Sequence, residues 1–115
     1  MLYEKKRTPK NGIADVLRGL ILQDISHAHE TDRAEADLNA LSFQSTSKKN
    51  RHIWISIFSD AQKPIVIDLE DWDYKDTWDN SIACVEVSTY KTASAVCKAW
   101  LSGANASECI GLSDE

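Results

Sequence analysis

The chain has 115 residues, of which 43% are hydrophobic and 27% are charged. A chain of this length forms one domain that buries about two-thirds of its unfolded surface, so its core requires neither disulfides nor a metal. These values exclude a multidomain enzyme, and the 4 Gly and 2 Pro exclude a collagen-like or low-complexity chain.

The net charge of −5 is concentrated in residues 68–79, called here the acidic segment. This segment holds six acidic residues and one basic residue, so the rest of the chain is electrically balanced. Residues 1–10 are locally basic, and we expect them to form a flexible arm. Because a general nucleic-acid binder needs an excess of cations to neutralise phosphates, the balance argues against direct binding of nucleic acid.

The first element is a helix, predicted from apolar residues at helical spacing and from Asn11 as a cap. The apolar stripe consists of Ile13, Val16, Leu17, Leu20 and Ile21. Arg18 and Gly19 interrupt this apolar run, so we expect no secretory signal. No apolar stretch of the chain is long enough to span a membrane. Residues 26–37 are polar and predict a loop with some helical content.

Four runs of β-branched, aromatic and alternating residues predict strands, and the first three are joined by short polar turns. The predicted strands are residues 40–44, 52–58, 65–69 and 82–87. A closing helix follows, with Ser88 or Thr89 as its cap and Gly103 at its left-handed end. Its apolar stripe consists of Ala93, Val96, Cys97, Trp100 and Leu101. Residues 104–115 are expected to form a loosely ordered tail.

The fold class predicted from this order is α+β, with one domain over residues 1–115. A four-stranded antiparallel meander carries the N- and C-terminal helices on one face, in the order α-β-β-β-β-α. The covered face is that of Ile53, Ile55, Ile57, Ile65 and Ile67. The opposite face carries Trp54, Phe58 and Val66 and is therefore more apolar than a face exposed to solvent needs to be. We expect a helix end or a partner to cover it.

Three cysteines, Cys84, Cys97 and Cys109, are too few and too widely spaced for a disulfide framework or a zinc knuckle. Cys84 and Cys97 fall on the apolar faces of predicted elements, where a thiol acts as a small hydrophobic residue of the core. Reduced, buried cysteines indicate a cytoplasmic protein.

The acidic segment alternates carboxylates with large aromatic residues, a composition typical of a surface that binds a basic protein partner. The predicted partner-binding residues are Glu70, Asp71, Trp72, Asp73, Tyr74, Asp76, Trp78 and Asp79. The alternative is that Trp72 and Trp78 cap one edge of the core while the acids face solvent. No glycine stands where an EF-hand loop needs its sharp turn, so a calcium site is not expected.

His27 and His29, with nearby carboxylates, form the one cluster that resembles metal chemistry. On a helix these two side chains would diverge, and no third histidine or cysteine is spaced to complete a zinc set. His52 flanks a predicted strand and is expected at a surface or edge. The chain has no nucleophile elbow, phosphate-binding glycine loop or zincin motif, so neither a catalytic residue nor a cofactor is predicted.

The strand-to-helix end of the chain resembles that of bacterial immunity proteins encoded beside contact-dependent inhibition and other polymorphic toxins. The similarity lies on residues 78–88 and 93–103, within a span of about a quarter of the chain, and ends in Trp100-Leu101-Ser102-Gly103. It implies a cytosolic, non-enzymatic inhibitor that binds one toxin domain, often a nuclease. Two alternatives stay open: a homodimeric adaptor or secretion chaperone that uses the Trp54 and Phe58 face, and a small metal-dependent enzyme that uses His27 and His29. The protein itself is expected to be a monomer or a homodimer.

Overall fold

The computed structural model describes residues 10–73 and 80–113, and this part of the chain contains three helices and five strands. The elements are α1 (Gly12–Asp24), β1 (Ala28–Glu30), β2 (Ala40–Ser45), β3 (Arg51–Ile57), β4 (Ile65–Asp71), β5 (Ser81–Val87), α2 (Tyr90–Leu101) and α3 (Ala106–Leu112). The strands form one antiparallel sheet in the order β1-β2-β3-β4-β5. The predicted α+β class and the antiparallel meander are confirmed.

The predicted strand number was wrong, because the sheet has a fifth strand. Strand β1 lies in the stretch predicted as a loop and pairs with the end of β2, with Ala28 opposite Ser45 and Glu30 opposite Phe43. It has only three residues, and none of them is fully buried. A strand this short and this polar shows no alternation that a sequence pattern could reveal.

The core lies between the sheet and the helices. Cross-strand register places Ile55 between Leu41 and Ile67, and the next row places Ile53 between Phe43 and Leu69. These six side chains are completely buried. Burying each of them stabilises the fold by about 1.5 to 3 kcal/mol.

Helix α1 begins as predicted, since the Asn11 side chain accepts a hydrogen bond from the backbone N–H of Ile13. The buried residues of this helix are Ala14, Leu17 and Ile21. Val16, expected in the buried stripe, is 49% exposed. The core-facing stripe is therefore rotated slightly from the predicted one, with Ala14 buried and Val16 exposed.

Helix α2 agrees with its prediction in its N-cap, in its C-terminal glycine and in its buried apolar stripe. Thr89 is its N-cap, all five predicted stripe residues are buried, and Gly103 has a φ of 104°. The predicted tail after it contains α3, in which Cys109 is fully buried. The short α3 therefore adds to the core a side chain that the sequence placed in a tail.

Two further expectations from the sequence were wrong. Cys97 is in the core, but Cys84 is exposed, because it lies on the face of β5 that points away from the helices. Burial and then the neighbouring Asp68 carboxylate raise the pKa of the Cys84 thiol. The predicted basic arm lies outside the described residues except for Lys10, which is buried and donates hydrogen bonds to the carbonyl oxygens of Ala34 and Asp37, both at 2.6 Å.

Candidate functional site

The face of the sheet away from the helices, called here the open face, differs from the core face in chemistry. On β3 this face carries His52 and Trp54, which pair across the strands with Glu70 and Asp68 on β4. The segment between β1 and β2 reaches this face, since Thr31 is hydrogen-bonded to Ser42 of β2. The open face is therefore covered in part by the chain itself.

Arg33, from the same segment, provides the main ionic contact on the open face. Its guanidinium donates two hydrogen bonds to the Glu70 carboxylate, at 2.7 and 3.0 Å. Its Cζ atom lies 5.3 Å from the ring centroid of Trp54 and 5.1 Å from that of Trp72. A planar cation is therefore held by one carboxylate and two indoles, an arrangement that suits arginine better than lysine.

Trp72 lies directly after β4 and is fixed at its backbone and at its ring. Its backbone N–H donates to the carbonyl oxygen of Asn50 at 2.8 Å, and its indole stacks on the imidazole of His52 with centroids 4.2 Å apart and planes 18° apart. The residue is nonetheless 46% exposed. Trp72 thus covers His52 with its indole while about half of the residue stays accessible to solvent.

His52 is 6% exposed, so the expectation of a surface or edge residue was wrong. It lies under the Trp72 indole, and its Nδ1 is buried without a hydrogen-bond partner among the residues the structure describes. Burial, and next the Arg33 guanidinium, lower the pKa of His52, while the Glu70 carboxylate acts in the opposite direction. His52 is therefore predominantly neutral at pH 7.

A cleft of about 550 Å³ opens beside this stack, at the end of the sheet where the β2–β3 turn meets the end of β4. The residues lining it are Gln44, Lys49, Asn50, His52, Trp72 and Asp73. It therefore combines an exposed indole with amide groups and charges of both signs.

Four of the predicted partner-binding residues lie in the described part of the chain and are brought together at this end of the sheet. Glu70 is engaged by Arg33, and Asp71 accepts hydrogen bonds from the Asn50 side chain and from the backbone of Asp73. Trp72 and Asp73 are exposed. The other four, Tyr74, Asp76, Trp78 and Asp79, lie outside the described residues.

Sequence reasoning missed five residues that shape this site: Arg33, Gln44, Lys49, Asn50 and His52. The alternation of β3 places His52 and Trp54 on one face, which was a usable signal for His52. Arg33 gave no such signal, because its partner Glu70 is 37 positions away.

The histidine cluster considered for metal chemistry is not assembled. Nε2 of His27 is hydrogen-bonded to the Ser102 hydroxyl at 2.9 Å, His29 is exposed, and Glu30 is paired with Arg18 at 3.0 Å. Over residues 10–73 and 80–113, no group of three histidine, cysteine or acidic side chains is placed to hold a metal ion.

At the opposite end of the sheet, Phe58 follows β3 and is 55% exposed. Trp54, which the adaptor alternative paired with Phe58, is only partly exposed and lies beside Arg33.

In the described ranges, no helix has the length and hydropathy needed to cross a membrane.

Comparison of this chain with family models, curated proteins and solved structures gives no match.

Proposed function

We propose that this protein is a non-enzymatic immunity protein of a bacterial polymorphic toxin system. It acts in the cytoplasm by binding a cognate toxin domain, most simply a nuclease, through the acidic and aromatic surface around Trp72. The end of the chain supports this proposal by its resemblance to such proteins, and the geometry of the open face supports a binding role.

The observation that carries the proposal is that Trp72 is both exposed and fixed. Tryptophan is the residue type most enriched at binding hot spots, and an anchor that is already ordered loses little conformational entropy when a partner covers it. The Asn50 hydrogen bond and the His52 stack supply that order, while 46% of the residue stays accessible. A tryptophan that served only to cap the core would be expected to be buried.

Charge supports the choice of a basic partner. Asp71 and Asp73 flank Trp72, and the acidic segment to which they belong has a net charge of −5. A nuclease presents positive potential to its phosphodiester substrate, so a carboxylate-rich surface steers encounter with that region and can occupy it. Glu70 has a different part, because its charge is neutralised by Arg33. Its role in this proposal is to hold Arg33 beside the indoles.

The proposal is tested with the gene that neighbours this one. An upstream reading frame with a toxin-like C-terminal domain is expected, and expression of that domain should stop growth of the host unless this protein is co-expressed. The purified pair should form a stable complex in which the toxin activity is inhibited. A neighbouring toxin that binds this protein with no loss of activity, or that is neutralised by a different gene product, would overturn the proposal.

A homodimeric adaptor is favoured less by the structure, because Arg33 lies over one of the two aromatic residues on which that alternative depends. The two functions predict different masses in solution. Light scattering at high concentration should give a monomer if the open face is reserved for a partner of another kind.

A further inference from the structure

We propose that the cleft beside Trp72 is a receptor for an arginine side chain of the partner protein. The inference rests on the proposed function, and it specifies the chemical group that the surface recognises. Three features of the described residues carry it: the hydrogen-bonding polarity of the cleft, its exposed carboxylate and indole, and the way the same surface already binds a guanidinium.

Each of the two amides of the cleft uses one of its two N–H donors within the protein and keeps its carbonyl oxygen free. Nε2 of Gln44 donates to the carbonyl oxygen of Lys49 at 2.9 Å, and Nδ2 of Asn50 donates to Oδ1 of Asp71 at 2.9 Å. A primary amide has one carbonyl oxygen besides its NH₂ group, so each residue is left with its acceptor for a ligand. In the described part of the chain neither oxygen has a partner.

Among the remaining polar groups of the cleft, Asp73 adds acceptors, whereas the Lys49 ammonium carries only donors. The Asp73 carboxylate is exposed and has no partner within residues 10–73 and 80–113, and an ionised carboxylate only accepts hydrogen bonds. The imidazole of His52 also lines the cleft, but its Nδ1, which lacks a partner among the described residues, is buried away from solvent. Apart from Lys49, the cleft therefore presents mainly acceptors, among them one charged carboxylate, and suits a ligand rich in donors.

Among protein side chains, arginine best combines many donors with a flat apolar face. Its guanidinium has five N–H donors, always carries a positive charge and stacks on aromatic rings. Arg33 shows this chemistry in the same molecule, since it pairs with Glu70 while its Cζ lies 5.1 Å from the Trp72 centroid. An arginine of the partner would repeat this pattern in the cleft, with Asp73 as its carboxylate and the exposed part of Trp72 as its ring.

Lys49 opposes this interaction, because it lines the cleft and carries the same charge as the ligand. Its side chain is exposed and lies at the turn between β2 and β3. Removing its charge should therefore strengthen binding of an arginine. Lys63, exposed in the turn between β3 and β4 at the other end of the sheet, offers a matched control.

The test is an NMR titration of the full-length protein with N-acetylarginine amide, N-acetyllysine amide and N-acetylcitrulline amide. Citrulline has nearly the shape of arginine but no charge. We expect saturable shifts of the Gln44 and Asn50 side-chain amides and the Trp72 indole with arginine, weaker shifts with lysine, and none that saturate with citrulline. Trp72→Ala and Asp73→Asn should each weaken arginine binding by about tenfold or more. Lys49→Gln should strengthen it by about threefold, and Lys63→Gln should leave it unchanged.

Equal shifts with citrulline, no saturable shifts with arginine, or unchanged binding by Asp73→Asn would overturn the inference. Asp73 is exposed, so Asp73→Asn is expected to fold even if Trp72→Ala does not. The inference and the proposed function fail separately. A toxin that is neutralised through Trp72 while arginine does not bind would contradict the receptor alone, whereas arginine binding without any toxin partner would contradict the immunity function alone.

Discussion

The two faces of the sheet are built by different means. The core face is filled by isoleucine, leucine and phenylalanine in continuous rows across the strands, and two amphipathic helices cover it. The open face is held by a few specific contacts between distant parts of the chain, such as the pair of Arg33 with Glu70 and the stack of Trp72 on His52. The core face therefore supplies most of the stability of the fold, and the open face forms a surface of defined shape.

The largest expected difference between the faces is in unfolding free energy. Ile55→Ala removes a fully buried side chain from the middle of the core face and should cost about 3 to 4 kcal/mol. Trp54→Ala, its neighbour on the open face, removes a side chain that is partly exposed and should cost about 1 to 2 kcal/mol despite its larger size. Urea unfolding of the two variants measures both values. A costlier Trp54→Ala would show that the open face is the main source of stability.

The next effect concerns the segment that carries Arg33. Lys10→Met removes the ammonium that donates to the carbonyl oxygens of Ala34 and Asp37. It should lower the unfolding free energy by about 1 to 3 kcal/mol, because the buried carbonyl oxygen of Ala34 is left without a donor. Hydrogen exchange should become faster in residues 31–39 and stay unchanged in the centre of β3. An unchanged stability would show that water replaces the ammonium without cost.

The ion pair between Arg33 and Glu70 on the open face should contribute less to the unfolding free energy. Arg33→Gln leaves the Glu70 carboxylate, whose side chain is 12% exposed, without its cation, and we expect a loss of about 1 to 2 kcal/mol. Glu70→Gln in the Arg33→Gln background should restore part of that loss, which a double-mutant cycle measures. Additive losses would show that the pair contributes no coupling energy.

The smallest expected effect is a pH dependence. Because the pKa of His52 is lowered in the folded state, the unfolded chain binds a proton that the folded chain does not as the pH falls below the unfolded value of about 6.5. The unfolding free energy should therefore decrease as the pH is lowered from 7 toward 5. His52→Phe keeps a ring under Trp72 and should reduce this slope, whereas the exposed control His29→Gln should not. Equal slopes for His52→Phe and the wild type would contradict the burial of the imidazole.

The core face could be predicted from the sequence because its signals are local. The period-2 alternation of β3 and β4 and the helical spacing of α2 each lie within a single element, and both agree with the structure. The cap at Thr89 and the left-handed Gly103 are local as well. Where packing decided between similar patterns, prediction was less accurate, as for Val16, which lies just outside the buried stripe.

The open face could be predicted only in part. The composition of the acidic segment predicted a partner-binding surface that includes Trp72 and Asp73, and both residues are exposed. It did not show that Glu70 is neutralised by Arg33, because that pair depends on how the segment between β1 and β2 crosses the sheet. The burial of His52 depends likewise on a ring that folds back from the end of β4. Contacts of this kind follow from topology, which no periodicity encodes.

The most direct test of the central claim compares two exposed aromatic residues at opposite ends of the sheet, Trp72 at 46% and Phe58 at 55%. Binding of the toxin domain from the neighbouring gene is measured by calorimetry for Trp72→Ala and Phe58→Ala, with the fold of each checked by circular dichroism. We predict that Trp72→Ala weakens binding by about 30-fold, equivalent to about 2 kcal/mol, and that Phe58→Ala changes it by less than about threefold. Equal effects, or a larger loss for Phe58→Ala, would contradict the claim that the partner binds around Trp72.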